Sequence, residues 1–210
     1  MITIAALLFV TVTSHRISKV VGVEWGEVEG AGCFNDRQYR AATMPRLKLR
    51  SPVATKRANA IIEAEVRDMI DYGGSEFRRE PMPGVCKGKK VEKHSEVLQA
   101  ACDVTLASER FVSVLCHVTG MGAHPGGHPE ALNLLVNGDE VEQLGEFEEL
   151  FRRGSDYRSA LFPNHAVDDL QSATLEEDGL HLIFKDDDMF YEWKYVDDIL
   201  RPEIVKAHKK

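Results

Sequence analysis

Two histidines four residues apart, His124 and His128, lie in the segment Gly122-Ala123-His124-Pro125-Gly126-Gly127-His128. On a helix, that spacing would bring both imidazoles to one metal ion, the chemistry of a small metal-dependent hydrolase. Proline and paired glycines between them forbid the helix. Glu130 is close in sequence, but a metal needs at least three converging ligands, and no third is spaced to serve. The segment therefore predicts a structural turn, with Gly126 and Gly127 at positive φ and His124 bonded to backbone. No metal site and no cofactor are expected. Nucleophilic catalysis finds no better support. Ser108 and Ser113 lie outside any Gly-x-Ser-x-Gly elbow. Cys116 and His117 are neighbours on a predicted strand, so their side chains point to opposite faces and make no dyad. Glu148-Glu149, Glu176-Glu177 and Asp186-Asp187-Asp188 read as solvated faces and turns, without the spacing of a calcium loop.

Four cysteines, Cys33, Cys86, Cys102 and Cys116, contain no Cys-x-x-Cys pair. Two disulfides in an oxidising compartment are the simpler reading, and four cysteines allow three pairings. The predicted hairpin sets Cys102 opposite Cys116, which makes that bridge geometrically possible. The apolar run Ile2 to Val10 has the length of a signal-peptide core, with Val12 and Ser14 placed for a cut before His15. It is too short to span a bilayer as a helix. A periplasmic or secreted location is expected, with residues 1–14 as a signal peptide and no transmembrane segment. The net charge of −8 repels phosphate backbones, and most of the excess acid follows residue 138. Nucleic acid is thereby excluded as a partner, and a cationic one is favoured.

These residues need a frame. Ile17 to Val28 and Gln38 to Thr43 read as strands. Ser51-Pro52 opens a helix with an N-cap and a first-turn proline, and Gly73-Gly74 closes it. Ala58, Ile61, Ile62, Val66, Met69 and Ile70 recur at helical spacing. Leu98 to Ala107 and Phe111 to Thr119 form a hairpin with Val112, Val114, Cys116 and Val118 on one face. Leu132 to Val136 returns through Asn137-Gly138 to Val141 and Leu144. Phe147 to Phe151 reads as a short helix, and Ser155 caps another. Asp178-Gly179 marks a hairpin between Ala173–Glu177 and Leu180–Phe184. Met189 to Tyr195 is read as a strand with Tyr191, Trp193 and Tyr195 on one face, a candidate binding surface together with His124. Residues 206–210 are expected to fray. The fold class is α+β, with two small antiparallel sheets each packed with helices.

The order of several short pieces resembles a bacterial extracytoplasmic pair of domains. The pieces are Met44-Pro45-Arg46-Leu47, then Ala58-Asn59-Ala60-Ile61-Ile62, then Gly122-Ala123-His124-Pro125. They continue with Asn133 to Gly138, Phe147 to Phe151, Gly154-Ser155-Asp156-Tyr157 and Asp178-Gly179-Leu180. Their sequence is similar to the extracellular part of RsiV-type anti-sigma factors and the non-catalytic part of PdaC-type peptidoglycan deacetylases. The resemblance implies a PdaC-type unit over 15–119 and an RsiV C-terminal-type unit over 120–205. It implies a binding or sensor module without catalysis, since RsiV-type domains bind lysozyme, a cationic protein. The partner would be a cell-wall-related protein or a cell-wall glycan. A purely structural envelope protein is the further alternative. The chain departs from the pattern between the last two strands, where only Lys185 to Asp188 stands in place of a longer loop.

Overall fold

The computed structural model describes residues 21–29, 38–72, 96–121, 126–162 and 169–209. Six strands form one sheet in sequence order: β1 (Gly22–Glu29), β2 (Gln38–Lys48), β3 (Glu96–Ala107), β4 (Phe111–Met121), β5 (Gly126–Asn137) and β6 (Glu140–Leu144). A second sheet holds β7 (Leu170–Leu175), β8 (Gly179–Phe184) and β9 (Asp188–Glu192). The α+β class and the two sheets are as expected. The first sheet is mixed, not antiparallel, because β2 and β3 run parallel. Helix α1 (Pro52–Tyr72) lies between them in sequence, and a crossover that carries the chain back is what a parallel pair requires. The expected division after residue 119 falls inside β4, two residues before its end, and β4 pairs with β5 from Phe111↔Leu135 to Gly120↔Gly126.

Helix α1 forms where Ser51 caps it. The Ser51 Oγ accepts from the Val53 and Ala54 amides and donates to Asp139 on the β5–β6 turn. Its buried residues Ala54, Ala58, Ile62, Val66 and Ile70 recur every four positions and face the first sheet. Asn59 joins helix to sheet: its carboxamide accepts from the Leu47 amide at 2.7 Å and donates to the Leu47 carbonyl at 2.9 Å. Val112, Val114, Cys116 and Val118 share the α1 face, as their alternation predicts. On that face Cys102 pairs with Cys116 in register and the two form a buried disulfide, their Cα atoms 3.9 Å apart.

The other face of the first sheet, through Phe111, Leu135 and Leu144, shares a core with the second sheet and its helices. Those are the 3-10 turn Phe147–Leu150, α2 (Tyr157–Leu161), α3 (Trp193–Val196) and α4 (Pro202–His208). The docking of β7 is polar. A bulge at Thr105 turns its hydroxyl to donate to the Leu175 carbonyl at 2.8 Å. Asn133 donates to the Ala173 carbonyl at 3.0 Å, and the Leu175 amide donates to Ser113 Oγ at 3.1 Å. Thr174 closes the network, hydrogen-bonded to Thr105 at 2.7 Å and Ser113 at 2.9 Å. Each of these side chains is buried and satisfied, as burial demands.

Four local expectations are corrected. Gly126 and Gly127 lie within β5, not in a turn at positive φ; a Cβ on Gly127 would sit 2.8 Å from the Val118 carbonyl, so close strand approach is what needs glycine. The β5–β6 loop is Gly138-Asp139, one residue later than expected, with Gly138 at φ +63. Asp156, not Ser155, caps α2, because its carboxylate accepts from the Ser159 amide. Residues 206–208 are helical: α4 buries Ile204 and Ala207, and the His208 ring stacks on Trp193 at 3.9 Å.

Candidate functional site

The strand expected over Met189 to Tyr195 stops at Glu192, where the backbone turns into α3. Tyr191, Trp193 and Tyr195 therefore do not share a strand face. Tyr191 points into the second core and donates its hydroxyl to the Leu161 carbonyl at 2.6 Å; burial pushes its phenol pKa up. Trp193 is 6% exposed and donates its indole N–H to the Glu177 carbonyl at 2.8 Å. Only Tyr195 faces solvent, 62% exposed, with the Lys194 ammonium 4.7 Å from its ring centre. Trp193 thus acts as an anchor that fixes the β7–β8 turn against α3.

A different surface emerges on the outer face of the second sheet. The registers Thr174↔His181 and His181↔Phe190 put these side chains on one face, opposite the core residues Leu180 and Leu182; the face is buried at Thr174, which docks on the first sheet, and opens to solvent toward Phe190. Phe190 is 47% exposed. His181 sits between two carboxylates, its Nδ1 2.8 Å from Glu176 and its Nε2 3.6 Å from Asp188. The hydrogen bond to Glu176 raises the His181 pKa most, against the cost of burial, and the charges of Glu176 and Asp188 add to it. Residues 176–194 hold seven carboxylates and two lysines, so this stretch carries most of the net charge of −8. An imidazole held between two carboxylates, beside an exposed ring in a stretch rich in acid, makes this a face of negative charge with one apolar contact at its edge. The sequence signal for this surface was the acid density around Phe190. The alternation reading missed it by continuing the strand through Trp193.

A cleft of about 1130 Å³ opens elsewhere, between the start of α1, the β5–β6 turn and α4. Arg57 donates to the Asp139 carbonyl at 3.0 Å, and Arg201 bridges to Glu142 at 3.2 Å. Its basic and acidic side chains are equal in number, so it lacks the acidic bias of the sheet face.

His128 lies on β5 with its Nε2 3.2 Å from Glu130. Among the described residues no group of three or more His, Cys, Asp or Glu side chains is arranged to hold a metal. His117 is exposed and Cys116 buried, on opposite faces as expected. His124, Cys33 and Cys86 lie outside the described residues.

The chain is similar to solved members of the DUF3298 family. One is a DUF3298 family protein from Pseudomonas aeruginosa, with 12% identity and a TM-score of 0.48, covering 88% of this chain and 95% of that one. Another is a DUF3298 member from Bacteroides fragilis, with 10% identity and a TM-score of 0.44, covering 90% of this chain and 97% of that one. No family model matches the sequence, and no curated protein matches it.

Proposed function

We propose that this chain is an extracytoplasmic, non-catalytic binding module whose acidic sheet face receives a cationic, lysozyme-like protein of the cell envelope. The observation that carries the reading is the pair of exposed carboxylates, Asp188 and Glu192, that flanks exposed Phe190 beside the Glu176–His181–Asp188 cluster, on a sheet held by the Trp193 anchor and the polar docking of β7. Acidic charge speeds the encounter, and an aromatic ring at the centre supplies the buried contact. The buried Cys102–Cys116 disulfide supports a periplasmic or secreted location. No described helix is long and apolar enough to cross a membrane. Residues 1–14 are proposed as a signal peptide, and 15–119 and 120–205 as the PdaC-type and RsiV-type segments that share the first sheet.

The test is calorimetric titration of the full chain with lysozyme at low and high salt. Binding is expected at low salt and should weaken as salt screens the charges. Phe190→Ala should weaken it by about tenfold, a typical loss for a central aromatic contact. Absence of binding at low salt, or binding unaffected by Phe190→Ala, overturns the reading. Retention of soluble peptidoglycan strands without lysozyme would replace the protein ligand by a glycan.

A further inference from the structure

The two edges of the second sheet are treated differently. Glu176 and Gly179 exchange both backbone hydrogen bonds, which marks a hydrogen-bonded pair in the β7–β8 ladder. Alternation along antiparallel strands then turns the backbone groups of Ala173 and Leu175 away from β8. Those groups are the ones that Asn133, Ser113 and Thr105 satisfy, so the β7 edge is closed. On the far side, the Phe184 amide donates to the Asp187 carbonyl and the Trp193 amide to the Asp178 carbonyl. The same alternation points Asp187, Met189, Tyr191 and Trp193 toward β8. Asp188 and Phe190 consequently aim their backbone N–H and C=O groups outward, and Glu192 its N–H, while the Glu192 carbonyl opens α3 as its N-cap. The Asp188 amide is taken by the Asp187 carboxylate at 2.8 Å, and no described strand follows β9 in the sheet.

The side chains at this edge share its outward geometry. Asp188 and Glu192 are 59% and 58% exposed and flank Phe190 on the face that carries His181. An added antiparallel strand would place its own side chains directly opposite these three. We propose that β9 is a strand-addition site, and that its occupant is an extended segment of the cationic partner with the pattern basic–x–apolar–x–basic. The apolar residue would lie against Phe190, and the basic residues against Asp188 and Glu192. Main-chain bonds to Phe190 and Glu192 supply affinity in this mode, and the alternate side chains supply selection. The inference rests on the reading of this face as a site for a cationic protein and adds how the partner is held. Short, charged edges elsewhere block pairing, and that is the outcome the experiment sets against strand addition.

Three probes separate these possibilities with the full chain. The first is a capped peptide alternating lysine and apolar residues. The second is the same peptide N-methylated on alternate amides, in both phases, which keeps charge and removes main-chain donors. The third is folded lysozyme. The unmethylated peptide is expected to bind, and methylation in one phase should weaken it about tenfold, the loss of one or two well-formed hydrogen bonds. Amide exchange should slow at Phe190 and Glu192 in the complex and stay unchanged at Tyr191. Phe190→Pro should weaken binding beyond Phe190→Ala, since both lack the ring and only proline lacks the outward N–H. Proline is tolerated where that N–H faces solvent, and circular dichroism of both variants checks the fold. Equal binding by methylated and unmethylated peptides, or no slowing at Phe190 and Glu192, overturns strand addition while lysozyme binding persists. Failure of lysozyme itself to bind is the separate outcome that removes the underlying reading.

Discussion

His181 shows how one residue couples the sheet face to pH. Its pKa is raised in the folded chain, first through the Glu176 hydrogen bond and then through the charges of Glu176 and Asp188. The charged imidazole is thus favoured by folding. Its contribution is complete below the unfolded value, about 6.5, and is lost as pH rises through the higher folded value. His181→Gln should therefore destabilise the chain by about 1 kcal/mol near pH 5 and by less near pH 9, a size suited to a half-exposed charged hydrogen bond. Urea unfolding at the two values checks this, and a difference that grew with pH would contradict the assignment. The opposite case is His208, whose pKa is lowered chiefly by burial beneath Trp193. Acid should loosen α4 while it strengthens the His181 bracket.

At the level of elements, α1 and the β3–β4 hairpin carry the first core. Asn59 supplies both halves of a backbone pair to Leu47, a role that no apolar residue could fill. Asn59→Ala should cost about 2 kcal/mol, because it leaves a donor and an acceptor unmatched at a half-buried site. Chemical denaturation measures it. The disulfide closes a separation of 14 residues across a hairpin that already pairs. Replacing Cys102 and Cys116 together by alanine should lower stability by about 2 to 3 kcal/mol, near the loop-entropy expectation for such a loop. A much smaller loss would show that strand pairing alone confines the hairpin in the unfolded chain. Both predictions concern cohesion within the α1 layer, and neither should alter the acidic face.

At the scale of the whole molecule, the first sheet is the shared wall of two cores, one against α1 and one against the second sheet. The polar network around Thr174 fixes the angle at which the second sheet docks. Asn133→Leu would strip the Ala173 carbonyl and the Ser113 hydroxyl of a partner at a buried site. A loss of about 3 kcal/mol is expected from two orphaned buried groups. Both layers should still unfold in one transition, since Phe111 and Leu135 tie them through apolar contact. Differential scanning calorimetry distinguishes one transition from two.

Local alternation and capping were sufficient to read α1, the β3–β4 hairpin and the position of most strands, because those features depend on neighbours close in sequence; they made Cys102–Cys116 one possible bridge, and the folded register chose it. Turn loops fell one residue from their Asn-Gly and Asp-Gly signals, since register is set by the whole ladder and not by the dipeptide. The parallel β2–β3 pair and the polar docking of β7 were not legible, for both join residues far apart in the chain. Trp193 illustrates the limit most clearly. Its place in a run of aromatic residues suggested a strand face, but β8 offers a partner only as far as Glu192, and the chain then turns helical to bury the ring. The acid content of residues 176–194 was written in the sequence; that Asp188 and Glu192 flank an exposed Phe190 on the last described strand of its sheet was decided by tertiary packing, which fixes which face of a strand meets water.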